Sequence, residues 1–111
     1  EMRGDLGGGK TTFLKGFARG LGIKDNILSP TFVIFRVYDI SFGRYKKFYH
    51  FDCYRIEEAD LSTLGFKEII ENPDNIVAIE WSERIDSSLF KDSVKVDMKF
   101  IDENKREILI D

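Results

Sequence analysis

The stretch Gly4-Asp5-Leu6-Gly7-Gly8-Gly9-Lys10-Thr11-Thr12 constrains the fold of this chain more than any other. It has the spacing G-x-x-x-x-G-K-[ST], a glycine-rich loop that joins a strand to a helix. Glycine carries no Cβ, so the backbone N–H groups of Asp5, Leu6, Gly7, Gly8 and Gly9 can converge on an anion. A helix starting at Lys10 directs the positive end of its dipole at the same point. In this pattern Lys10 reaches the β- and γ-phosphates, the Thr11 hydroxyl holds Mg²⁺, and Thr12 bonds the α-phosphate. The plainer alternative is a glycine-rich turn before an amphipathic helix.

A phosphate loop follows a buried strand, yet only Glu1, Met2 and Arg3 precede Gly4. A strand usually needs about five residues. The expectation is therefore one domain over residues 1–111 that begins inside its first strand. The chain is 42% apolar and carries a net charge of −3, which argues against disorder and against a protein that grips nucleic acid by neutralising phosphates. The basic residues Arg44, Lys46 and Lys47 are a local exception. No apolar run reaches the roughly 18 residues of a membrane span, and no signal peptide is visible. The single cysteine, Cys53, cannot form an internal disulfide, which fits the cytoplasm.

Phe13, Leu14, Phe17, Ala18 and Leu21 fall at helical spacing, with Lys15 and Arg19 on the opposite face. Gly20 and Gly22 are stop signals. The segment Ser29-Pro30-Thr31-Phe32 admits two readings: a rigid turn into a strand, or a nucleotide-sensing switch whose hydroxyls face the γ-phosphate or the metal. Thr31 to Tyr38 reads as a strand, Asp39 to Arg44 as a turn, and Tyr45 to Asp52 as the return strand of a hairpin. Within it Phe48, His50 and Asp52 share one face, Tyr49 and Phe51 the other. Helical material runs from about Glu57 to Glu71, broken near Gly65 and stopped by Asn72-Pro73-Asp74-Asn75. Ile76-Val77-Ala78-Ile79 is apolar on both faces and reads as a buried parallel strand ending at Glu80. A polar stretch from Ser82 to Ser93 has room for a short helix. Alternation at Val94, Val96, Met98 and Phe100, then at Ile108 and Ile110, predicts a closing hairpin.

Phosphoryl transfer needs a second metal contact and an oriented water. Two carboxylates stand at strand ends, Asp52 and Glu80. Glu80 follows the better buried strand and is the favoured metal ligand. Asp52 either binds the metal through water or orients the attacking water. Either acid is equally readable as a solvated strand end or as a partner for Arg55 or Arg84. A lone histidine such as His50 is more often structural than a base. Cys53 has no activating neighbour and reads as packing. Trp81 reads as core, with stacking near a nucleotide as the alternative. Arg55 is either a phosphate sensor or half of an ion pair.

The phosphate loop, Ser29-Pro30-Thr31-Phe32, His50-Phe51-Asp52-Cys53-Tyr54-Arg55, Leu64-Gly65 and Ile79-Glu80-Trp81 occur in an order that resembles the TsaE (YjeE) family. The resemblance runs from Glu1 to about Glu83, and it implies that the domain lacks its N-terminal helix and the start of its first strand. It implies a P-loop NTPase-like mixed α/β sheet, with a parallel core, antiparallel flanking strands and helices on the faces. It implies ATP/ADP and Mg²⁺ binding with slow hydrolysis, in tRNA threonylcarbamoyladenosine biosynthesis with the TsaD–TsaB pair. Contact with tRNA is then indirect. By motif match Lys10, Thr11 and Thr12 take phosphates and metal, Asp52 and Glu80 the acidic roles, and Ser29 to Phe32, Thr31 included, the switch. Gly8, Cys53 and Ser82 depart from the family's commoner Ala, Leu and Pro. A small-molecule kinase and a nucleotide-gated binding module are the competing functions. A kinase needs an arginine-bearing lid, and no clear lid segment is visible.

Overall fold

The structure is a computed structural model and describes residues 1–4, 9–24, 35–54, 65–85 and 92–111. The expected loop residues Asp5, Leu6, Gly7 and Gly8, the segment Ser29 to Phe32 with Thr31, Arg55, and the helical stretch from Glu57 to Leu64 lie outside these.

Alternating and doubly apolar segments form one sheet. Its strands are β1 (Met2–Gly4), β2 (Phe35–Phe42), β3 (Tyr45–Asp52), β4 (Asn75–Glu80), β5 (Val96–Asp102) and β6 (Lys105–Ile110). Their spatial order is β2-β3-β4-β1-β5-β6. The inner pairs β3/β4, β4/β1 and β1/β5 are parallel, and the outer pairs β2/β3 and β5/β6 are antiparallel. The expected parallel core with antiparallel flanks is therefore the observed fold class.

Among the described residues two helices pack on opposite faces. Helix α1 (Lys10–Gly20) lays Leu14 and Ala18 over Met2, Phe48, Ala78, Val96 and Met98. Helix α2 (Phe66–Glu71) covers the other face, where Phe66 meets Phe51, Cys53, Ile79 and Ile85. The Phe51 ring stacks on Phe35 at 4.9 Å and takes the edge of Phe66 at 5.0 Å. The predicted two-faced alternation in β3 thus separates two cores. Phe17, expected on the buried stripe, sits at the margin of α1, 41% exposed, with its ring 5.8 Å from that of Phe48.

Helix α1 stops as its glycines predict. Gly22 adopts φ +86, its N–H donates to Arg19 O, and the Ile23 N–H donates to Ala18 O, both at 3.0 Å. This is the Schellman arrangement, closed by the shared core position of Ile23 and Ala18. Strand β2 runs on to Phe42 and the turn narrows to Gly43 and Arg44, so the predicted turn from Asp39 is too long. Asp39 tolerates the strand because it is exposed and pairs across it with Lys47, Nζ to Oδ1 2.8 Å. Helix α2 begins after Gly65, in the left-handed region at φ +72. The polar stretch from Ser82 to Ser93 opens with a 3-10 turn, Ser82–Arg84, and its residues 86–91 lie outside the described residues. Val94 lies before β5 and is exposed, and every residue of β6 is exposed. Among the described residues no helix is long and apolar enough to cross a membrane.

Candidate functional site

The site gathers at the carboxyl ends of the parallel strands, on the α1 face. Strand β1 reaches this edge at Gly4, two residues beyond the pairing of Met2 with Glu80. Gly4 has φ +138, and a Cβ built there would stand 1.9 Å from the carbonyl oxygen of Met98. Glycine is therefore required by the close passage of β1 along β5, before any demand of a ligand. Gly9, at φ +93, turns the chain into α1, and the Phe13 N–H donates to Gly9 O at 2.9 Å.

Lys10 is the first residue of α1 and is buried. Its ammonium donates to Gly4 O at 2.8 Å and lies 4.0 Å from the centroid of the Trp81 ring. A buried ammonium needs such partners to offset its lost hydration. Thr11 is half-buried in the same turn and Thr12 is exposed. No acidic residue occupies the first turn of α1 itself, so the helix adds no negative side chain of its own at its positive end.

The two acids face each other. Asp52 and Glu80 are register partners across β3 and β4. They share the α1 face with Phe48 and Ala78, at the same edge as Gly4. Asp52 is half-buried, and its Oδ1 accepts the Tyr54 N–H at 3.0 Å. Glu80 is buried, and its Oε2 lies 2.6 Å from His50 Nε2. Lys10, Thr11, Asp52 and Glu80 are thus brought to one edge of one face.

Trp81 follows Glu80 in a left-handed conformation, φ +61, which a non-glycine residue rarely adopts. That twist carries its ring to Lys10 and to within 4.8 Å of the Tyr54 ring. The ring also packs against the α2-side core. The sequence named Trp81 and His50 without these contacts; the His50–Glu80 pair follows only from the β3/β4 register. Cys53 is buried on the α2 side, and burial, then the neighbouring Asp52 charge, pushes its thiol up to about 12. Its burial among apolar side chains fits the packing role. Among the described residues no group of three or more His, Cys, Asp or Glu side chains gathers to hold a metal alone, so a metal here would need a ligand or water to complete its shell.

A mixed α/β sheet with a basic residue opening α1 and paired acids on neighbouring strand ends defines the class. The family described as "Threonylcarbamoyl adenosine biosynthesis protein TsaE" matches residues 1–108. The chain belongs to the TsaE family. It is 37% identical over 110 residues to the tRNA threonylcarbamoyladenosine biosynthesis protein TsaE of Treponema pallidum, covering 98% of this chain and 78% of that protein. The Bacillus subtilis protein of the same name is 37% identical over 107 residues, covering 96% and 65%. The Borreliella burgdorferi one is 46% identical over 84 residues, covering 74% and 58%. The crystal structure of Bacillus subtilis YdiB is similar in fold, with a TM-score of 0.65 at 32% identity, covering 96% of this chain and 62% of that one.

Proposed function

We propose that this chain binds and slowly hydrolyses Mg²⁺·ATP in tRNA threonylcarbamoyladenosine biosynthesis, acting on the TsaD–TsaB pair in the cytoplasm. One observation carries the nucleotide reading. Lys10 at the start of α1 and the acids closing β3 and β4 meet at one edge of one sheet face. The family supports the pathway, and its named relatives are proteins of that biosynthesis.

The residues present fit a nucleotide phosphate chain and a hard divalent cation. Lys10 would reach the β- and γ-phosphates, the loop amides the α- and β-phosphates, Thr12 the α-phosphate, and Thr31 the γ-phosphate side. Thr11 and Glu80 would hold Mg²⁺, an oxygen-ligand cation that keeps several waters. When bound, Mg²⁺ neutralises charge that develops on the phosphoryl oxygens. Asp52 orients the attacking water, by accepting its hydrogen bond, in line with the bond that breaks to release ADP. Water is the acceptor in this reading; transfer to a small molecule is the competing function. The net charge of −3 supports work through protein partners, with tRNA contacted only indirectly.

The test is reconstitution. Purified TsaD and TsaB are assayed for repeated rounds of tRNA modification with and without this chain, and with Lys10→Ala. The parent is expected to sustain turnover that the variant does not. Equal turnover in its absence would overturn the proposal.

A further inference from the structure

His50 is sealed from solvent near the carboxyl end of β3, on the face it shares with Phe48. Its register partner on β4 is Ala78, whose small side chain leaves the imidazole room to reach diagonally to Glu80. Nε2 stands 2.6 Å from Oε2, with side-chain exposures of 0% for His50 and 4% for Glu80. The other ring nitrogen, Nδ1, has no hydrogen-bond partner among the described residues.

That last feature separates two roles. A histidine kept only for packing is expected to satisfy both nitrogens, because a buried polar atom without a partner costs free energy. A leucine would fill similar volume and orphan nothing. Here the one described hydrogen bond of the ring goes to the acid of the site. We infer that His50 is the positioning residue of Glu80, and the inference rests on the nucleotide reading above.

In the proposed role the Glu80 carboxylate accepts and His50 donates from Nε2. The bond fixes one oxygen of Glu80 and with it the side-chain rotamer. Oε1 is not among the sealed atoms that lack a partner. It is the oxygen left for metal or water. A carboxylate held at one oxygen by an outer partner presents the other in a single geometry.

The test compares His50→Leu, His50→Gln and Glu80→Gln with the parent. Three quantities are read: ADP affinity without Mg²⁺, the Mg²⁺ half-saturation of ATP hydrolysis, and kcat. The expected result for His50→Leu is a loss of roughly 10–100-fold in kcat or Mg²⁺ affinity, with metal-free ADP affinity unchanged. Gln can donate to the same oxygen, so His50→Gln should stay within roughly 5-fold of the parent. If His50→Leu does not fold, His50→Asn replaces it, since its shorter amide does not span to Glu80. Parent-like kcat and Mg²⁺ response in the donor-less variant, beside an inactive Glu80→Gln, would overturn the positioning role alone. A fully active Glu80→Gln would overturn the role of Glu80 in the nucleotide reading, and the inference with it.

Discussion

The Lys10 ammonium lies over the face of the Trp81 ring, 4.0 Å from its centroid, while donating to the carbonyl oxygen of Gly4. Trp81 is the sole tryptophan, so the emission comes from this corner of the site, where its ring also meets Tyr54. Phosphate capture by Lys10 draws the cation off the ring. ADP binding is expected to change Trp81 fluorescence in the parent and leave it unchanged in Lys10→Ala. Lys10→Ala should also weaken ADP binding by roughly 10–100-fold, the worth of a hydrogen bond to a charged group.

Gly4 admits no side chain. Gly4→Ala places a methyl 1.9 Å from the Met98 carbonyl at a positive φ. Backbone has to move, and the expected cost is about 2–3 kcal/mol or more, in the overpacking range. The urea midpoint of the variant against the parent checks this. An unchanged midpoint would contradict the close passage of β1 along β5.

The α2-side core hangs on Phe51, fully buried between Phe35 and Phe66. Phe51→Ala is expected to cost about 3–5 kcal/mol. Ile108→Ala on β6, where the side chain is 44% exposed, should cost less than about 1 kcal/mol. Chemical denaturation of both variants gives the ratio directly.

Cys53 links stability to alkaline pH. The free thiol titrates near 9.0 and the folded one at about 12, raised first by burial and then by the Asp52 charge. The folded state therefore keeps a proton that the unfolded chain releases. The resulting stability is fully present below pH 9.0 and is lost as pH rises through about 12. Cys53→Ala should show a shallower fall in stability across that window. At pH 8, iodoacetamide should label unfolded chain readily and folded parent only slowly.

Much of this was legible in the residues, because period-two alternation survives folding. Phe48, His50 and Asp52 do share one face of β3, and the apolar run from Ile76 to Ile79 is the inner strand β4. Gly20 and Gly22 marked the end of α1 for a reason of backbone geometry. The turn at Asp39 was misjudged because its cross-strand bond to Lys47 depends on pairing, which composition does not encode. The left-handed Trp81 was invisible for a similar reason: nothing in its type announces φ +61. The His50–Glu80 contact needed the parallel register between two strands, and it joins residues 30 apart in sequence.

The most direct measurement is a crystal structure of the chain with Mg²⁺ and a non-hydrolysable ATP analogue. The account predicts the triphosphate at the start of α1, with Mg²⁺ about 2.0–2.1 Å from the Thr11 hydroxyl oxygen. A carboxylate oxygen of Glu80 should reach that metal directly or through one water, with Asp52 facing the γ-phosphate. A nucleotide seated on the α2 face, or a metal touched by neither acid, would contradict it.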